Sequence, residues 1–160
     1  MDKLQNPRFI FILTSVCALL GMAAFLFFKW NADRTAVFDT SDAVFDEGFE
    51  GYFTVESISD ENGLTVISGY DIAYGLPSAE TPAVILLKDL SDGTFYRLPT
   101  QIKDRTDISS AIADGTDYSL CGFRSFTDKD LNDHDYEIYG CFFLPKSGER
   151  IIKKASDEIL

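Results

Sequence analysis

Residues 121–141 read CGFRSFTDKDLNDHDYEIYGC, and the way the two apolar runs at its ends pair decides the fold. LCGFRSF and YEIYGCFFL both have strand character, rich in aromatic residues and bounded by turn formers. As a hairpin centred on Leu131 they set Cys121 and Cys141 equally far from the tip and opposite each other. Opposed residues of an antiparallel pair have Cα atoms about 4.5–5.5 Å apart, within reach of a disulfide. Closing a loop of about twenty residues in this way contributes about 3 kcal/mol in the chain-entropy model. Facing complicates the pairing. Tyr136, Ile138, Phe142 and Leu144 alternate onto one apolar face, which sends Cys141 to the other, whereas Cys121 shares its face with Phe123. A bulge at Gly122 reconciles the two. The expectation is a Cys121–Cys141 disulfide, and the alternative is two free thiols on non-adjacent strands.

The acidic middle of the same stretch invites metal chemistry and does not sustain it. Asp128, Asp130 and Asn132 have the opening spacing of a calcium loop, but Asp133 stands where that loop needs glycine and Tyr139 where it needs glutamate. His134 is the chain's sole histidine, so a His-rich zinc site or a Ser-His-Asp triad has only this residue to build on. Asp133 and Asp135 flank it in sequence, yet in a strand they point to opposite faces from it. No G-x-S-x-G elbow and no Gly-rich phosphate loop occurs. The expectation is therefore no catalytic residue, no metal and no cofactor, with the acidic run as a solvated turn.

Working towards the N-terminus, short strand-like runs alternate with turn signals. YFTVESI and LTVISGYDIAY flank Asn62-Gly63, and VILLKDL and TFYRLPT flank Asp92-Gly93, which predicts two hairpins. DISSAI predicts one helical turn with Asp107 as N-cap. Residues 145–148 turn the chain into RIIKKAS. About seven strands with few helical signals predict an all-β fold, an antiparallel immunoglobulin-like β-sandwich over residues 51–160. Tyr136 has the placing of a structural corner tyrosine. Tyr52, Tyr70, Tyr74, Tyr96, Tyr118 and Tyr139 are candidate platforms for sugar rings, although strand tyrosines more often bury the ring and wet the hydroxyl, and no sugar site is assigned.

Several of these runs resemble a small extracytoplasmic β-sandwich domain found beside or fused to bacterial membrane proteins of cell-surface polysaccharide and glycopolymer assembly. The similar stretches are Gly69-Tyr70, VILLKD, TQIKDRTDISSAI, DYSLCGF and LNDHDYEIYGCFF, spanning about residues 67–143. These are strand and turn patterns, not catalytic signatures. Phe123 falls at the position of a core residue of that domain. Cys121 replaces a usual serine, and His134 stands where glycine is common. The resemblance implies an accessory, glycan-proximal role and no reaction.

The N-terminal part is of another kind. Residues 9–28, FIFILTSVCALLGMAAFLFF, contain no charge. A helix of about twenty residues crosses a hydrocarbon core of about 30 Å. Arg8 before the run, and Lys29 and Trp30 after it, are the residue types found at a membrane interface. A cleaved signal peptide has a shorter apolar core of about 7–15 residues. A lipoprotein signal needs small residues just before Cys17, where Val16 stands. The expectation is a cytoplasmic N-terminus over 1–8 and an uncleaved transmembrane helix over 9–30.

Charge and repeats fill in the remainder. The part after the helix carries 25 acidic and 11 basic residues, all but Asp2 of the 26 acids and all but Lys3, Arg8 and Lys29 of the 14 bases. That balance excludes a nucleic-acid partner, which requires a basic face. With the cysteine pair it suggests an oxidising, extracytoplasmic compartment. AVFD occurs at 36–39 and again at 43–46. Phe38, Phe45 and Phe49 form one stripe if this acidic linker, 31–50, is helical, a candidate docking segment for a partner near the membrane; the alternative is that they tuck against the following domain. The chain is expected to be a single-pass cell-membrane protein, its partners the lipid bilayer and a membrane protein such as a polytopic glycosyltransferase. The expected function is accessory or scaffolding work in the cell envelope. A carbohydrate-binding module is the alternative, with glycan as ligand, and a glycan-modifying enzyme the third.

Overall fold

The structure is a computed structural model, and it describes residues 7–32, 35–82, 84–131 and 135–156. The chain divides into two compact units, Met1–Arg34 and Thr35–Leu160. The first holds α1 (Pro7–Ala32), which opens on a proline, tolerated in a helix's first turn where no intrahelical N–H bond is lost. Its described side chains, residues 11–26, are exposed except for the partly buried Ser15, among them Phe11, Leu20 and Phe25 at 73%, 65% and 66%. Among the described residues no helix is long and apolar enough to cross a membrane; residues 11–26 alone fall short of the roughly twenty that a span needs.

Among the described residues the second unit is a two-sheet β structure of ten strands, rather than about seven. They are β1 (Ala36–Val37), β2 (Ala43–Phe45), β3 (Gly51–Glu61), β4 (Leu64–Ala73), β5 (Val84–Asp89), β6 (Phe95–Arg97), β7 (Thr100–Lys103), β8 (Gly122–Thr127), β9 (Tyr136–Phe143) and β10 (Arg150–Lys154), with a short helix, α2 (Thr106–Ile112), between β7 and β8. One sheet has the order β1-β6-β5-β9-β10-β2 and the other β3-β4-β8-β7. Every pairing of named strands is antiparallel except that of β2 with β10.

The turn chemistry explains the hairpins. Asn62 and Gly63 both have positive φ, 53° and 80°, the conformation of a two-residue turn whose twist suits the strands it joins. They close β3 onto β4, Glu61 facing Leu64. The β5–β6 turn closes where Gly93 N–H donates to the Asp89 carbonyl (2.8 Å). The β9–β10 turn closes through Leu144 and Glu149. β3 carries a bulge between Val55 and Ser57, and the bulge expected at Gly122 is not among the register shifts of the paired strands. Gly69, opposite that kink, is required: a Cβ there would lie 2.0 Å from the Thr54 carbonyl oxygen.

Alternation along the strands sorts side chains into three layers. Between the sheets lies the main core, including Phe53, Ile67, Ile85, Leu87, Phe123 and Phe142. Outside the four-stranded sheet, Ile72, Tyr118 and Cys121 form a second cluster beneath Ile108 and Ile112 of α2. Outside the six-stranded sheet, Leu86, Phe95, Tyr139, Cys141 and Ile152 form a third.

Two expectations need correction here. The segment 31–50 is not a free linker with a helical phenylalanine stripe. Its two AVFD copies supply β1 and β2, edge strands on opposite sides of one sheet. And the runs around Cys121 and Cys141 are not a hairpin, since β8 pairs with β4 and β7 whereas β9 pairs with β5 and β10.

Candidate functional site

Cys121 and Cys141 are both free and both buried. Cys141 lies opposite Val84 and Ile152 in the six-stranded sheet; Cys121 precedes β8, its carbonyl accepting from Asp71 N–H (2.9 Å) in the other. Each belongs to a different outer cluster, with the main core between. Face-to-face sheets stack about 10 Å apart, and a disulfide needs Cα atoms within about 7 Å. The expected bridge is thereby overturned. Burial pushes both thiols up to about 11; at Cys121 the Asp71 carboxylate adds to it. Such thiols are protonated and inert at neutral pH.

The phenylalanines of the expected docking stripe are divided. Phe49 meets Phe142 with ring centroids 5.0 Å apart and planes tilted by 44°, and packs against the main core. Phe38 is half-buried against the third cluster, with the Arg150 guanidinium 5.3 Å from its ring centroid. Phe45 remains 54% exposed. Arg8, Lys29 and Trp30 fall within α1, but their side chains lie outside the described residues, as do Asn132 and His134 altogether. Among the described residues no group of three or more His, Cys, Asp or Glu gathers to hold an ion.

What the fold brings together is an aromatic surface at the end of the four-stranded sheet. Tyr52 leaves β3 outward and Tyr74 follows β4, and their rings meet edge to face at 5.5 Å, 51% and 42% exposed. The hydrogen bond between them is the main reason that the Tyr74 phenol is pushed up to about 12. Tyr118 lies beneath, fully buried; its hydroxyl donates to Asp114 (2.7 Å) and accepts from Gly75 N–H (2.8 Å). The loop after α2 and the turn after β4 are thus tied at one phenol. Of the other candidate platforms, Tyr139 is buried and bonded to Glu137, Tyr70 is half-buried beneath Arg105, and Tyr96 is half-buried near Lys129.

A second assembly was not anticipated from sequence. Arg105, at the start of α2, donates to both oxygens of Glu56 (2.7 and 3.0 Å) and to Asp107 (2.9–3.2 Å). Asp107 is accordingly an acceptor in the first turn and not the N-cap, and its carboxyl is held below the ordinary range by Arg105. Glu56 is the bulged residue of β3, so the clasp joins the kink to the helix. The one sequence signal was the closeness of Arg105 to Asp107.

No family model, no curated protein and no solved structure matches this chain.

Proposed function

We propose that the chain is a single-pass membrane protein holding a non-catalytic immunoglobulin-like sandwich outside the membrane, as an accessory or scaffolding subunit near cell-envelope glycan assembly. The observation that carries the anchor is α1. It is 26 residues long, about 39 Å at 1.5 Å per residue, and its described side chains carry no charge, are apolar except for Thr14 and Ser15, and are nearly all exposed. Water does not favour such a surface, whereas hydrocarbon does, with the backbone satisfied inside the helix. The charge-free run continues on both sides of the described side chains, to residues 9 and 28.

The immunoglobulin-like reading rests on strand order. Without β1 and β2, the sheets read β3-β4-β8-β7 and β6-β5-β9-β10, which is the A-B-E-D and C′-C-F-G order of that sandwich. Sandwiches of this kind serve recognition on many cell surfaces, and an acidic exterior with two thiols kept out of chemistry favours holding over reacting.

The test of the anchor and its direction is membrane fractionation of the full chain in an enveloped host. Carbonate-resistant pelleting, together with protease access to the sandwich only from outside, is expected. Release to the soluble fraction, or protection from outside, overturns the reading. Co-purification with a polytopic glycosyltransferase, lost when residues 9–28 are scrambled, tests the accessory role. The Tyr52–Tyr74 pair favours a second reading, carbohydrate recognition. Full chain in nanodiscs binding a glycan array, with binding lost in Tyr74→Ala, would put that reading first.

A further inference from the structure

We propose that residues 36–45 form a detachable strap, which covers the outer face of β6-β5-β9-β10 and can release it while the eight remaining strands stay paired. Several observations converge on this. The strap is tied at one edge by two register pairs of β1 with β6 and at the other by three of β2 with β10. By contrast, β3 and β4 share ten. Removing β1 and β2 leaves both sheets with four mutually paired strands, so the strap is an addition to a topology already closed.

Between its ends the strap crosses the sheet's outer face. Phe38 N–H donates to the Phe95 carbonyl (2.7 Å) beside β6, and Asp46 N–H to the Ile152 carbonyl (3.1 Å) beside β10. The rings of Phe45 and Phe95 lie 5.6 Å apart, although three strands separate β2 from β6 in the sheet. Beneath the cover lie Leu86, Tyr139 and Cys141. Of the strap's apolar side chains, Phe38 and Ala43 pack against the cluster beneath, and both are only partly buried. Val37, Val44 and Phe45 remain 73%, 53% and 54% exposed, and the surface pair of Asp42 with Arg150 adds to the tie at the β10 end. Local openings of this type draw on the segments with the fewest buried contacts and the most exposed hydrogen bonds.

Cys141 is a probe already in place, 3% exposed under the strap, and Cys121, fully buried under α2, is its control. Burial raises both thiols in the closed state, so neither reacts until its cover opens, and the rates compare the two openings. The experiment is maleimide labelling of the full chain in nanodiscs, read site by site by mass spectrometry across a urea series. Cys141 is expected to react at least about tenfold faster than Cys121 in native buffer, with a much weaker urea dependence, as for an opening that exposes little surface. Phe38→Ala should widen that ratio. An A36C/R97C disulfide, joining register partners of β1 and β6, should bring the Cys141 rate down to that of Cys121. If the two thiols react at one rate with one urea slope, or if the crosslink leaves Cys141 unchanged, the strap opens only with the whole sandwich and the proposal fails. The wild-type and crosslinked arms decide the matter even where Phe38→Ala does not fold.

Discussion

The outer faces of the two sheets solve one problem by different means. Each carries an apolar cluster with a buried cysteine. On the four-stranded sheet the cover is α2 with its following loop, fastened by hydrogen bonds to side chains: Tyr118 to Asp114 and Gly75, and Arg105 to Glu56 and Asp107. On the six-stranded sheet it is a ten-residue crossing held by five register pairs, a backbone hydrogen bond beside each end, the packing of Phe38, Ala43 and Phe45, and one surface ion pair. A cover fastened to the buried Tyr118 phenol resists local loss, since breaking one partner leaves another unsatisfied, and the Arg105 ion pairs add a surface tie. A cover held at an exposed sheet edge lacks that penalty.

The comparison can be broken most severely from the layer both faces share. Phe142→Ala, in the fully buried inter-sheet core, should cost about 3–5 kcal/mol in urea unfolding of the full chain and should expose both cysteines together. Tyr118→Phe should cost about 1–3 kcal/mol, because it strips Gly75 N–H of its acceptor and Asp114 of a donor. Its labelling effect should fall on Cys121 and spare Cys141. Phe38→Ala should cost about 1 kcal/mol, a part of the ~1.5–3 kcal/mol that full burial of a phenylalanine is worth. A loss as large as that of Phe142→Ala would mean that the strap is integral to the core.

The smallest effect concerns pH. Glu137, on the outer face of β9, has its carboxyl held below its ordinary 4.5, first by the Lys154 ammonium and then by the Tyr139 hydroxyl. A carboxyl depressed in the folded state stabilises above its unfolded value, and that stability is lost as pH falls from about 4.5 through the lower folded value. At this partly exposed site it amounts to a few tenths of a kcal/mol. Thermal melts of Glu137→Gln between pH 7 and 3 should therefore show a shallower acid decline than the parent.

Residues that set their own geometry locally were legible. Asn62-Gly63 and Asp92-Gly93 fix turns, and the hydrophobic runs beside them could only be strands, so both hairpins and the two-sheet class followed. The pairing of β8 with β9 did not, because adjacency in sequence favours a hairpin and nothing in a run records which sheet it joins. The facing conflict between Cys121 and Cys141 was nevertheless a signal. Two apolar faces that match only with a bulge are better satisfied by two sheets, as found. β1 and β2 were illegible for another reason: strands of two and three residues have no periodicity to read, and the AVFD repeat resembles a helical stripe as readily as two edges. The Tyr118 network joins residues whose partners are set by loops, which carry no pattern at all.

The repeat has one more consequence. A long open strand at a sheet edge templates edge-to-edge pairing with another copy. The six-stranded sheet ends on both sides in strands of two and three residues, one running antiparallel to its neighbour and the other parallel. Edges this short offer a neighbouring molecule too few hydrogen bonds to zip onto. The repeat thus closes both edges of this sheet, whereas the other sheet ends on the eleven-residue β3, whose run is broken by its bulge.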